Sequence, residues 1–284
     1  MIILDGKKLA TEQQTKLRQR IKTLATKGII PGLAVVVVGD NPASAVYVKN
    51  KQKLCKELGL DFYLIKFPAT VTADKISQKI KTLNKDSKVH GIIVQLPLPP
   101  KLDAIDLISE INPQKDIDGL HPISIGLLAL GKELFIPATP KGVMDLLQKY
   151  KISPTGKNVV IIGFGYVTGM PLSLILTRAK ATVTVAQDKT KTSDLVKVLK
   201  SADIVISAVG KPGFIKGSMI KSGATIIDIG ITKQKSGWAG DVDFASVSKK
   251  AKYLTPVPGG VGPLTVSSLI SNLITATEYW GTGA

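Results

Sequence analysis

The chain has 284 residues, 44% of them hydrophobic and 21% charged, with 38 Lys and Arg against 21 Asp and Glu for a net charge of +17. That balance is globular and long enough for two domains, which excludes a disordered chain, while a single cysteine and two histidines exclude an internal disulfide and a clustered zinc site. The lysines are scattered over most predicted helices, aromatics are only 5%, and no zinc-finger or RRM pattern is present, so the charge reads as a solvated basic surface with no nucleic-acid partner.

Residues 7–27 read as a first helix, ended by Gly28 and Pro31, and Leu33–Val38 as a continuous apolar strand stopped by Gly39-Asp-Asn-Pro42. Ala43 or Ser44 opens a helix to Leu58. A strand at 61–66, a helix at 73–84, the strand Val89–Gln95 and a helix at 101–110 follow. A linking helix spans 139–150. A second unit then runs through strand 158–162, helix 171–179, strand 181–186, helix 192–200 and strands 203–208 and 224–229. A last helix runs from Pro263 to Trp280 and is expected to return to the first unit. Strands apolar on both faces, alternating with helices, predict an α/β fold of two lobes with a cleft between them. The start, Met1-Ile-Ile-Leu-Asp-Gly6, lacks the basic and apolar segments of a signal peptide, and no apolar run approaches a membrane span. A soluble, cytoplasmic protein without membrane contact is expected.

The glycine spacing Gly163-x-Gly165-x-x-x-Gly169 after strand 158–162, followed by Pro171 opening a helix, reads as a phosphate-cradling βα corner. Such turns also serve plain strand–helix packing. On the helix from Ser44, with Tyr47 at zero, Lys51 lies at about 40°, Leu54 at about 340° and Leu58 at about 20°, while Lys49, Lys53 and Lys56 lie at roughly 180–240°. Lys51 therefore shares the apolar stripe with Tyr47. It is either a snorkelling lysine or a desolvated amine available for proton transfer. Gln95 ends a buried strand, where α/β sheets bind ligands. Asp116 and Asp118 lie two apart in a turn, where structural Asx turns are common. The loop Thr255-Pro-Val-Pro-Gly-Gly-Val-Gly-Pro263 is either a face for a flat ligand or a hinge.

Together these segments resemble one family along nearly the whole chain. Pro31-Gly-Leu-Ala34, Val38-Gly-Asp-Asn-Pro-Ala-Ser44, Tyr47-x-x-x-Lys51, Gly91-Ile-Ile-Val-Gln-Leu-Pro-Leu-Pro99, Asp116-Ile-Asp-Gly119 and Thr255–Pro263 are similar to the signature blocks of the bifunctional methylenetetrahydrofolate dehydrogenase/methenyltetrahydrofolate cyclohydrolases. Ala202–Lys216 is similar to their cofactor domain. The resemblance implies oxidation of 5,10-methylenetetrahydrofolate by a nicotinamide dinucleotide, then hydrolysis of the methenyl product to 10-formyltetrahydrofolate. By the same match Lys51 assists proton transfer, Gln95 holds and polarises it, Tyr47 stacks on the folate and Asp118 hydrogen-bonds the pterin. Pro258, Gly259, Gly260 and Val261 line the folate slot. Gly163, Phe164, Gly165, Gly169, Asp188, Lys189, Ala208, Val209, Gly210, Gly230 and Ile231 bind the cofactor. It also implies a homodimer, no metal, a folate-binding catalytic domain at 1–138 completed by the helix 263–284, and a Rossmann-like NAD(P)-binding domain at 139–262. The basic surface suits the glutamate tail of the substrate.

Three positions depart from the family pattern. Gly163-Phe-Gly165 stands where Gly-Arg-Ser is usual, and Gln187-Asp-Lys-Thr190 where His-Ser-Arg/Lys-Thr is usual, so the residues expected to hold the 2′-phosphate of NADP are absent. NADP is the family's usual cofactor, but Phe164 and Asp188 argue for NAD. Ala138 replaces the usual cysteine of a Pro-Cys-Thr-Pro block, a change read as tolerated packing. Two alternatives share much of this pattern: a cyclohydrolase with a decayed cofactor lobe, and a two-lobed dehydrogenase of shikimate or amino-acid type.

Overall fold

The apolar runs pair into two all-parallel sheets in the computed structural model, which describes residues 1–234 and 237–281. In chain order the elements begin with β1 (Ile2–Ile3), α1 (Gly6–Ala25), β2 (Gly32–Val38), α2 (Pro42–Leu58), β3 (Asp61–Phe67) and α3 (Ala73–Lys85). Next come β4 (Gly91–Val94), α4 (Ala104–Ser109), α5 (Pro122–Leu130), α6 (Ala138–Lys149), β5 (Asn158–Ile162) and α7 (Gly169–Arg178). The chain ends through β6 (Thr182–Ala186), α8 (Thr192–Ser201), β7 (Ile204–Ser207), β8 (Thr225–Asp228), β9 (Thr232–Gln234), β10 (Gly237–Ala239), α9 (Phe244–Val247), β11 (Tyr253–Leu254) and α10 (Val261–Trp280).

The first unit comprises Glu12–Ala138 and the chain from Val266 on, around the sheet β3-β2-β4. Leu33, Val35 and Ile93 on one sheet face pack against Leu54 and Leu58 of α2, Leu17 and Leu24 of α1, and Leu269, Ile270 and Leu273 of α10. Ala138 is buried in the same core, where its methyl fills the place read as volume-tolerant. The second unit comprises Met1–Thr11 and Thr139–Thr265 around the sheet β1-β11-β8-β7-β5-β6. Alternate residues of β5 serve opposite faces: Val159 and Ile161 pack with Leu172 and Leu176 of α7, Val160 and Ile162 with Leu195 and Leu199 of α8. Burial on both faces is why these strands read as unbroken apolar runs.

The differences from the sequence reading have local causes. Residues 1–11, expected in the N-terminal domain, pack with the second unit, because Ile2 and Ile3 pair with Tyr253 and Leu254 and extend its sheet. Helix α2 starts at Pro42 rather than Ala43 or Ser44, since Asn41 Oδ1 accepts the Ser44 N–H at 3.2 Å and caps the first turn. Helix α7 starts at Gly169 rather than Pro171. Pro171 remains in the first turn, where its missing N–H leaves no bond unmade. Helix α5 had no counterpart. His121 Nδ1 accepts the Ile123 N–H at 3.0 Å at its start, and Gly131, with φ +73°, ends it. The final helix is expected to reach 284, and residues 282–284 lie outside the described residues.

Candidate active site

Helix α2 places Lys51 on its inward face, 6% exposed, while Lys49, Lys53 and Lys56 stay in solvent. Its Nζ lies 2.9 Å from Gln95 Oε1. Gln95 is fixed by the sheet: its N–H donates to Val36 O at 2.8 Å, continuing the ladder past β4. Its Nε2 donates to Leu96 O at 2.8 Å, which aims Oε1 at the amine. Ser44 Oγ donates to the same carbonyl at 3.2 Å. Ser44, buried in the first turn of α2, is a support that the sequence marks only as a helix start at the end of a signature block.

Burial pulls the Lys51 pKa below the ordinary lysine value, with the Asp118 charge opposing the shift. Desolvation thus favours the neutral amine that a proton acceptor needs. The same burial pushes the Cys55 thiol up to about 12, so it stays protonated and unreactive. Tyr47, one turn before Lys51, is partly buried, and burial raises its phenol pKa.

The turn after α4 divides its two carboxylates between different tasks. Asp116 is buried and saturated, accepting the N–H of Leu120 at 3.3 Å and of His121 at 2.8 Å and the Ser124 hydroxyl at 2.6 Å. It holds the turn and the start of α5. Asp118 is half-buried, and its carboxylate accepts no hydrogen bond from the described residues. Burial raises its pKa, the Lys51 charge lowers it, and Asp116 adds a smaller rise. Lys51, Gln95, Asp118 and Tyr47 all lie in the first unit; Lys51 is bonded to Gln95 and coupled by charge to Asp118, and Tyr47 stands one turn before it on α2.

Pro258–Val261 belongs to the second unit, where Gly259 O accepts the Lys7 N–H at 2.9 Å. A Cβ at Gly6 would collide with Gly260 O, so α1 needs glycine where it meets this loop. The residues assigned to the dinucleotide gather at the carboxyl ends of β5, β6, β7 and β8, the edge where parallel sheets bind ligands. Gly163 takes φ +96°, and a Cβ at Gly169 would collide with Gly163 O. The backbone therefore turns tightly enough to cradle a pyrophosphate, so these residues fit a dinucleotide. A Cβ at Gly163 would meet Ala208 O at 2.8 Å, and Thr232 Oγ1 donates to Gly210 O at 3.1 Å, which brings the three loops together. Phe164 is 44% exposed beside them. Asp188 and Lys189 form an open ion pair at 3.9 Å, with side chains 74% and 94% exposed. Among the described residues no group of three or more His, Cys, Asp or Glu could hold a metal ion, and no helix is long and apolar enough to cross a membrane.

Two family models match the chain: the tetrahydrofolate dehydrogenase/cyclohydrolase catalytic domain over residues 4–118, and the NAD(P)-binding domain of the same name over 137–280. A bifunctional protein FolD of Nautilia profundicola is 44% identical over 279 residues, 98% of each chain. The solved bifunctional FolD methylenetetrahydrofolate dehydrogenase/cyclohydrolase of Campylobacter jejuni shares 44% identity and a TM-score of 0.95 over 98% of this chain and 99% of its own. The FolD methylenetetrahydrofolate dehydrogenase-cyclohydrolase of Trypanosoma brucei, solved with NADP and an inhibitor, shares 36% and 0.94 over 98% of each. These matches favour neither a lone cyclohydrolase nor a dehydrogenase of shikimate type. The chain belongs to the tetrahydrofolate dehydrogenase/cyclohydrolase family.

Proposed function

We propose that this enzyme oxidises 5,10-methylenetetrahydrofolate and hydrolyses the methenyl product to 10-formyltetrahydrofolate, with Lys51 as the group that moves the proton. The observation that carries the assignment is the buried Lys51 Nζ held 2.9 Å from Gln95 Oε1. A nicotinamide bound at the glycine edge supplies the acceptor for the hydride leaving the methylene carbon. In the hydrolytic step water adds to the methenyl carbon and its proton passes to the neutral Lys51 amine. The bond from that carbon to N5 then breaks as the added hydroxyl becomes the formyl carbonyl; the electron pair stays on N5 and takes the proton back from Lys51, and the hydroxyl's own proton leaves to solvent. Gln95 keeps Nζ in place through both transfers. Asp118 offers an unpartnered carboxylate to the N–H donors of the pterin, and the Tyr47 ring stacks on the folate. The lining of the folate slot by Pro258, Gly259, Gly260 and Val261 belongs to the same reading, as do a homodimer and a cytoplasmic location.

The choice of dinucleotide is proposed from the β6 edge, where NAD is used at least as well as NADP. Asp188 can accept the ribose hydroxyls of NAD. A 2′-phosphate brings about −1.5 to −2 charges. Against so exposed a carboxylate each unit-charge pair at about 4 Å repels by roughly 1 kcal/mol. The sum, about 1.5–2 kcal/mol, is worth roughly tenfold. Lys189 offsets part of it, and Phe164 supplies no cation. The test supplies methylenetetrahydrofolate with each dinucleotide and follows both the formation of the methenyl absorbance and its decay. Wild type is expected to form and consume the methenyl product with NAD at least as fast as with NADP. Asp188→Ser should move the kcat/KM ratio towards NADP about tenfold. A strong wild-type preference for NADP contradicts the cofactor assignment, and a chain that reduces neither contradicts the dehydrogenase.

A further inference from the structure

Two buried carboxylates in the second unit take no part in the chemistry above. Asp228 ends β8, and Asp241 follows the β9–β10 ribbon; they are 3% and 0% exposed. Asp241 Oδ2 accepts the Ser207 hydroxyl at 2.9 Å and the Val209 N–H at 2.8 Å, and its Oδ1 accepts the Lys211 N–H at 2.7 Å. Asp228 in turn accepts the N–H of Asp241 at 3.0 Å and of Val242 at 2.9 Å, while its own N–H donates to Thr255 Oγ1 at 2.7 Å. Glycine is required on both sides. A Cβ at Gly230 would collide with the Asp241 carboxylate, and one at Gly240 with that of Asp228.

The sheet fixes only the first residue of each loop, the Ala208 N–H donating to Ile162 O at 3.0 Å. The β7–β8 ladder ends at Ser207 and Asp228, followed only by the bond from Ile229 N–H to Ser207 O at 2.8 Å. Beyond it the N–H groups of Val209 and Lys211 find their acceptor in Asp241, through charge-assisted bonds stronger than neutral ones. Asp241 thus sets the path of Ala208–Gly210 and stands against Gly230 of the next loop.

We propose that Asp241, seated by Asp228, is a positioning residue for the dinucleotide, clipping the loops after β7 and β8 into the shape that receives it. The inference rests on the reading that Ala208–Gly210 and Gly230–Ile231 bind the cofactor. Asp241 is fully buried and acts only through those loops.

Asp241→Asn keeps the volume but puts an NH2 where one loop donor needs an acceptor. In the full-length enzyme the KM for the preferred dinucleotide is expected to rise at least tenfold, while nucleotide-free hydrolysis of methenyltetrahydrofolate stays within twofold of wild type. Ser207→Ala, a change small enough to fold, removes one of the three donors and should raise the same KM about threefold with hydrolysis unchanged. If neither variant raises the KM, or if hydrolysis falls in step with oxidation, Asp241 is a structural residue only and the proposal fails. A wild-type chain that reduces neither dinucleotide overturns the cofactor reading itself, and this proposal with it.

Discussion

Lys51→Met is expected to fold like wild type and to lose hydrolysis of methenyltetrahydrofolate by at least a hundredfold. The methionine stem keeps an unbranched chain on the buried face that carries Leu54 and Leu58, and a buried amine is replaced by an apolar group. The change therefore removes a desolvation penalty while leaving Gln95 Oε1 without its donor, a loss of about 1 kcal/mol that water at the half-buried Gln95 reduces. Stability should change little, whereas a positioned acid–base group contributes roughly 10²–10⁴ in rate. Lys53→Met, on the solvent face of the same helix, should leave both activities at wild-type level. Initial rates of methenyl decay, corrected for the uncatalysed reaction, decide the matter. Wild-type hydrolysis in Lys51→Met removes the assigned role.

Asp118→Ala should weaken folate binding roughly 10- to 150-fold, the equivalent of a charge-assisted hydrogen bond worth about 1.5–3 kcal/mol. Dinucleotide affinity should stay within a few-fold, since Asp118 lies in the other unit. The substitution has a second consequence. Asp118 is the largest charge opposing the fall in the Lys51 pKa, so its removal should carry the pH limb of hydrolysis lower still. Titrations with folate and with dinucleotide, run separately, distinguish the two affinities. An unchanged folate affinity beside a weakened dinucleotide affinity would place Asp118 on the wrong ligand.

What could be read from the sequence was what repeats along it or sits at a strand end. The inward stripe of α2 put Lys51 beside Tyr47, and the end of an apolar strand put Gln95 at a sheet edge, because both depend only on local period. The glycines at 163, 165 and 169 marked the βα corner for the same reason. Long-range pairing left no such trace. Strand β11, two residues long, pairs with β8, and β1, equally short, exists because it adds to the edge that β11 leaves open. The apolar run Pro122–Leu130 has no clear period, so α5 is defined by His121 and Gly131 at its ends. Asp228 and Asp241 look like ordinary loop acids in sequence. Their roles come from backbone donors on strands and loops up to 32 positions away.

The central claim is that a desolvated lysine moves the proton in hydrolysis, and the pH dependence of that step tests it most directly. A lysine whose folded pKa is lowered becomes neutral at lower pH than an ordinary one, so a step needing the neutral amine gains rate as pH rises through that lowered value. The measurement is kcat/KM for methenyltetrahydrofolate hydrolysis against pH, for wild type and Lys51→Met, each corrected for the uncatalysed rate. The predicted result is a limb rising with an inflection below 10.5 in wild type and absent from Lys51→Met. The same limb in both proteins would contradict it.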